Sequence, residues 1–300
     1  MAAPTTFRDA YDRVQVNGAE LAYVDIGTGD PVVFVHGGLS DLTYLEPFAA
    51  MFAAESRAIT YSRRYAWPNQ PLPKGAADPI DPHVQDLADV LNTLRATPAH
   101  VAGHSWGASI CLLFAAKHPE LVRTLTLIEP EVFGLFTGSP PSMAVILRLF
   151  AKRPGTAITV VRAAMGGQPI RAAYKRGEDQ EAIRLALNWA NGYDFYGEMD
   201  PAVRTHLLEN VAFSKAGTLA GPVKVSAEDA RRIIRPTLLV VGERSPKFFH
   251  VFIAELKGLI KGAEVHVIPN ASHGMFSQNP QAVAEAIRAF ISSPSANRPA

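Results

Sequence analysis

The sequence predicts an α/β fold, a mostly parallel sheet flanked by helices, with a helical segment inserted after the middle strands. Three observations predict it. Short apolar runs of strand length alternate with longer runs of helical period. The alternation stops over residues 131–235, a stretch too long for a loop, and then resumes. A tight-turn dipeptide, Asn17-Gly18, separates two short apolar stretches near the start. In order, residues 13–16 and 21–26 form antiparallel edge strands around that turn. Strands follow at 32–35, 58–61, around 101 and at 125–128, with helices at 48–54, 84–94 and 110–116 between them. After the interruption come a strand at 237–241, a helix at 252–259, a strand at 264–268 and a helix at 282–291. The expected core domain is therefore 1–130 with 236–300, and the expected helical cap domain is 131–235. Helices in the latter are expected near 143–150, 157–165, 181–191 and 202–209. The tail 292–300, rich in Ser, Pro and Asn, is expected to be disordered.

Composition narrows the functional classes. At 300 residues and 48% hydrophobic content the chain can fill one large core. With 29 basic and 28 acidic residues, the net charge of +1 gives no footprint for nucleic acid or for a membrane. The one cysteine, Cys111, lies in an apolar helical run and is expected to be a buried structural thiol. Residues 1–12 carry Arg8 and two aspartates but no apolar stretch, so a soluble cytoplasmic protein is expected, acting on a small molecule. The oligomeric state stays open, a homodimer included. Nothing has the spacing of a metal site or a dinucleotide loop, so no metal and no cofactor is expected.

Gly103-His104-Ser105-Trp106-Gly107 joins an expected strand to an expected helix. A G-x-S-x-G in that setting forms a tight elbow that lifts the serine hydroxyl clear of the sheet, at the positive end of the following helix. The residues two away from the serine must be small to clear the turn. Upstream, the strand at 32–35 is followed by His36-Gly37-Gly38; far downstream stands Asn270-Ala271-Ser272-His273-Gly274.

Together these three motifs resemble the α/β-hydrolase family, over roughly residues 14–291. The resemblance implies Ser105 as nucleophile. A serine hydroxyl needs an adjacent base, itself oriented by a carboxylate. The family carries its histidine after the last strand, where His273 stands. His36 and His104 then support loops. Two backbone donors must hold an oxyanion, and the family takes them from the residue after its His-Gly pair, here Gly38, and the residue after the nucleophile, here Trp106.

The chain departs from the common family pattern in two places. The usual acid follows two residues beyond the Gly-Glu at the end of the strand at 237–241, and that position holds Ser245. Certain dehalogenases and the zearalenone lactonase group instead take the acid from the end of the strand after the elbow helix. That strand here ends Leu127-Ile128-Glu129-Pro130, which makes Glu129 the candidate acid, with Glu131 and Glu243 as alternatives. If none serves, Ser105 and His273 form a weakened dyad. Second, relatives carry Asp-x-Arg-Gly-x-Gly where this chain has Ser62-Arg63-Arg64-Tyr65-Ala66-Trp67. Arg63 or Arg64 either pairs with a structural carboxylate or binds an anionic group of the substrate.

Trp189, Tyr193, Phe195 and Tyr196 cluster in the insertion, with Phe133 and Phe136 at its entry. Such aromatics build cap cores and favour apolar or aromatic substrates. Leu39, Phe133, Phe136, Trp189 and Tyr193 are the candidate substrate-lining residues. The resemblance then implies a serine hydrolase that cleaves a carboxylic ester or lactone. Two other readings use the same residues: hydrolysis of a carbon–carbon bond in a ring-fission diketone, and a small-ligand receptor on a hydrolase scaffold. Epoxide and haloalkane chemistry is disfavoured, because both need an aspartate where Ser105 stands.

Overall fold

Along β3 (Pro31–Val35) the side chains alternate between two apolar layers, Val32 and Phe34 on one face of the sheet and Val33 and Val35 on the other. A strand covered on both faces reads as a continuous apolar run, which is why this one was legible. The computed structural model describes residues 11–138 and 141–293. The expectation of disorder in the tail concerns residues that lie, from 294 onward, outside those described.

The hairpin β1 (Asp12–Val16) and β2 (Ala19–Ile26) turns at Asn17 and Gly18, both at positive φ. After β3 come α1 (Leu42–Ala50), β4 (Arg57–Tyr61), α2 (Ile80–Thr93), β5 (Ala99–His104), α3 (Trp106–Lys117) and β6 (Val122–Ile128). The insertion comprises α4 (Gly134–Thr137), α5 (Met143–Lys152), α6 (Pro154–Gly166), α7 (Gln168–Arg176), α8 (Asp179–Asn191), α9 (Phe195–Glu198), α10 (Pro201–His206), α11 (Val211–Ala220) and α12 (Ala227–Arg231). The chain ends with β7 (Thr237–Gly242), α13 (Lys247–Leu259), β8 (Glu264–Ile268), α14 (Met275–Gln278) and α15 (Pro280–Ile291). The eight strands form one sheet in the order β1-β2-β4-β3-β5-β6-β7-β8. Only the β1–β2 and β2–β4 pairings are antiparallel. The α2, α3 and α13 side chains cover one face, while those of α1 and α15 cover the other.

Two local expectations shift. The helix expected at 48–54 begins earlier, at Leu42, because Asp41 caps it by accepting from Thr43 N at 3.0 Å. In the insertion, α7 and α11 are additional to the expected helices: α7 is mostly polar and buries Ile170, Ala173 and Tyr174, and α11 buries Phe213.

Asp41 also ties the insertion to the sheet layer. Its Oδ2 accepts from His206 Nε2 at 2.8 Å and from Asn210 Nδ2 at 2.6 Å. Burial alone would raise the Asp41 carboxyl, but the donors His206, Thr43 and Asn210 outweigh it and hold the group below the ordinary carboxylate range. Removing a buried acceptor leaves its donors unsatisfied, so Asp41→Ala, which strands His206, Asn210 and Thr43, should cost about 2 to 3 kcal/mol by denaturant unfolding at neutral pH. A depressed carboxyl contributes stability above its unfolded pKa and loses it as pH falls through the folded one. The gap between wild type and variant should therefore close below about pH 4.

Candidate active site

The parallel strands deliver their C-terminal ends to one edge of the sheet, the usual place for a site in such a fold. At the end of β5, Ser105 sits at φ +54° and ψ −124°, and α3 begins at the next residue. The turn is possible only without side chains beside it. A Cβ at Gly103 would lie 2.6 Å from Cys111 Sγ, and one at Gly107 only 2.3 Å from His36 O. Cys111 is thus packing beneath the elbow, and burial pushes its thiol up, away from ionisation.

Glu129 follows the last residue of β6 at φ +45°, fully buried. Its Oε2 lies 2.6 Å from His273 Nδ1, and its Oε1 accepts from Gly242 N, at the end of β7, at 2.8 Å. The carboxylate can only accept, so Nδ1 carries the proton and Nε2 is left as a base. The two alternative acids lie elsewhere. Glu243 Oε2 accepts from Asn270 N in an exposed turn. Burial pushes the Glu131 carboxyl up to about 7, and its backbone N–H and carbonyl are both tied to Ser109 Oγ. Ser245 is buried with an unpartnered hydroxyl. The geometry brings His273 to Glu129 and not to Glu131, Glu243 or Ser245.

His104 positions the His273 loop. Its Nε2 lies 3.0 Å from His273 O, a carbonyl that can only accept, so Nε2 donates. Burial, then the proximity of His273, pulls its pKa well below the ordinary value, so the ring is neutral. The His104 and His273 rings stand 4.5 Å apart, and Phe249 stacks on His273 at 4.6 Å and 7°. From the insertion, Asn191 Oδ1 accepts from Ser272 Oγ at 2.6 Å and Gly274 N at 2.7 Å. Among the described residues Ser105 Oγ makes no hydrogen bond to His273; such bonds tighten when substrate closes a site. Sequence reasoning missed Phe249 and Asn191. Asn191-Gly192 reads only as a helix end, with no signal that the amide would hold a loop.

Gly38 and Trp106 face each other: a Cβ on Gly38 would lie 3.9 Å from Trp106 Cβ. Neither backbone N–H donates a hydrogen bond among the described residues. Arg63, fully buried, braces both. Its Nε donates to His36 O at 3.2 Å, its Nη2 to Gly37 O at 2.8 Å, and its guanidinium lies 4.4 Å over the Trp106 ring. Behind it His83 Nε2 donates to Asp78 Oδ1 at 2.7 Å, leaving Nδ1 facing Arg63 Nη1 at 3.5 Å. Burial pulls the guanidinium down to about 10, so it stays charged at neutral pH. Of the two arginines, Arg64 forms the structural carboxylate pair, with Asp86 at 2.5 Å, and Arg63 bonds carbonyls. Both cations are engaged inside the protein.

Of the candidate lining residues, Phe133, Phe136 and Trp189 pack into an aromatic block with Phe248 and Phe252. Among the described residues they approach His273 through Phe248 and Phe249, whose rings are 4.4 Å apart. Leu39 packs against Ile183, Tyr196 and Leu207, and Tyr193 is exposed, accepting from Gln278 Nε2 at 2.8 Å.

A serine at a strained elbow, a histidine paired to a buried carboxylate and two free amides define the site class. Residues 32–286 match the family model described as the alpha/beta hydrolase family, and the chain belongs to that family. It is 25% identical over 281 residues to 2-(acetamidomethylene)succinate hydrolase of Mesorhizobium japonicum, covering 93% of this chain and 94% of that protein. It is 24% identical over 222 residues to epoxide hydrolase 3 of Xenopus tropicalis, 69% of this chain and 56% of that protein's length. The enol-lactonase structure from Burkholderia xenovorans LB400 superposes with a TM-score of 0.71 at 19% identity, covering 94% of this chain and all of that one.

Lysine in place of Arg63 offers a single ammonium, which cannot bridge both carbonyls and stack on Trp106. If the Gly38 and Trp106 amides hold an oxyanion, Arg63→Lys should lower kcat for an activated ester about tenfold to a hundredfold with little change in KM. A KM rise at unchanged kcat would place Arg63 in substrate binding instead.

Proposed function

We propose that the chain is a serine hydrolase cleaving a carboxylic ester or lactone through an acyl-enzyme, with residues 131–235 as the cap domain over Ser105. The observation that carries this reading is the 2.6 Å contact of His273 Nδ1 with Glu129, which fixes the tautomer a serine nucleophile requires. Ser105 Oγ attacks the carbonyl carbon while His273 Nε2 takes its proton. The Gly38 and Trp106 N–H groups hold the oxyanion, and His273 returns the proton to the departing alcohol oxygen. Water, deprotonated by the same nitrogen, then attacks the acyl carbon and releases the acid and Ser105. Glu129 remains ionised throughout and balances the imidazolium. Phe249 against His273, backed by the aromatic block, favours an apolar or aromatic substrate. The resemblance to an enol-lactonase agrees with lactone cleavage. The carbon–carbon reading has less support, because ring-fission substrates carry carboxylates and both Arg63 and Arg64 already have partners.

Two measurements test the proposal. Wild type should hydrolyse short p-nitrophenyl esters or an aromatic lactone, and Ser105→Ala should abolish that turnover. Absence of turnover on all of them would favour the ligand-receptor reading. Glu129→Gln should fold normally yet lose about four orders of magnitude in kcat, because an amide that can donate favours the wrong imidazole tautomer. Unchanged kcat would move the acid role to another carboxylate.

A further inference from the structure

The near-neutral charge of the whole chain is an average over unlike parts. Residues 132–177 contain seven Arg and Lys and no Asp or Glu. Within this stretch α5, whose sequence runs MAVILRLFAK, has no buried residue at all. Met143, Leu147 and Phe150, spaced i, i+4 and i+7 on one helix face, are 68%, 62% and 38% exposed. On α6, Ile158 and Met165 are 43% and 65% exposed, with Arg162 between them on the same stripe. Arg148, Lys152 and Arg162 are exposed and make no ion pair among the described residues, whereas Arg153 and Arg176 are paired with Glu255 and Glu178. Beneath the pair of helices lies an apolar cavity of about 160 Å³ lined by Phe136, Ile146, Leu149 and Val160 among others.

Exposed apolar side chains set along one helix face cost free energy in water and mark contact surfaces. Their cationic neighbours choose the occupant. A second copy of the chain would set this basic face against itself, with no acidic residue in the stretch to relieve the repulsion. An anionic lipid surface satisfies both halves: Arg and Lys meet the headgroups while Leu, Met, Phe and Ile enter the acyl boundary. Among the described residues no helix is long and apolar enough to cross a membrane, so such a contact lies on the surface. We propose that the α5–α6 pair is a docking surface for an anionic phospholipid membrane.

The test is co-sedimentation of the full chain with phosphatidylcholine vesicles, with and without phosphatidylglycerol, which reads binding independently of the site's chemistry. Binding should be about tenfold or more stronger to the anionic vesicles and should fall as salt rises. The combined variant Arg148→Glu, Lys152→Glu and Arg162→Glu should abolish it, and Leu147→Ser with Phe150→Ser should weaken it about tenfold or more. Both variants replace exposed side chains and should keep the wild-type Tm and the turnover of short soluble esters. Failure to bind anionic vesicles, or equal binding by the charge-reversed variant, would overturn the proposal. So would a dimer in sedimentation velocity that Leu147→Ser with Phe150→Ser converts to monomer, since the face would then belong to a second copy.

Discussion

The buried Glu129 carboxylate is the contact on which the site depends. It stands where three segments converge, following β6, accepting from the last residue of β7 and fixing the His273 ring after β8. A buried carboxylate without such donors would be strongly destabilising. The register of β6 against β7 and the course of the loop at 269–274 are therefore bound to the same atoms. The positive φ of Glu129 is the local strain that aims its side chain inward. The cost is offset by two hydrogen bonds in a water-poor setting.

Around this contact the protein builds two braces of different chemistry. The histidine side is braced by rings and an amide: Phe249 stacks on His273, His104 bonds its carbonyl, and Asn191 holds the residues on either side of it. The opposite side is braced by a cation. Arg63 joins the carbonyls at the end of β3 to the indole that begins α3, and His83 with Asp78 stands behind it. The first brace comes partly from the insertion, and the second, built in the sheet layer, is also touched by it through Phe213 of α11, whose ring lies 5.2 Å from the Arg63 guanidinium. The relative placement of His273 and the Gly38 and Trp106 amides thus reflects how the insertion sits on the core, a contact also secured by Asp41 with His206 and Asn210.

The same insertion shows where whole-chain averages mislead. The balanced composition suggested no charged partner, yet one contiguous stretch concentrates seven cations and an uncovered apolar helix. Charge acts over distances of about 10 Å, so its placement along the chain and on the surface carries information that the net sum removes.

The sequence by itself determined the sheet, its order of alternating elements, the hairpin at Asn17-Gly18 and the elbow at Ser105. Each of these is local: period-2 or period-3.6 burial, a turn dipeptide, and glycines demanded by backbone clearances at 103 and 107. It also placed His36, His104 and Cys111, because motifs give those residues an address, and left Glu129 as one of three candidate acids. What only the tertiary structure decided is which groups meet across long separations. Glu129 and His273 are 144 residues apart, and choosing Glu129 over Glu131 or Glu243 needs the inward turn of one side chain. Arg63 on carbonyls, Asn191 on the histidine loop and the joining of Phe133, Phe136 and Trp189 to Phe248 and Phe252 behind Phe249 likewise left no mark in sequence spacing. Their partners are backbone atoms and ring faces, and any residue type supplies the first while many supply the second.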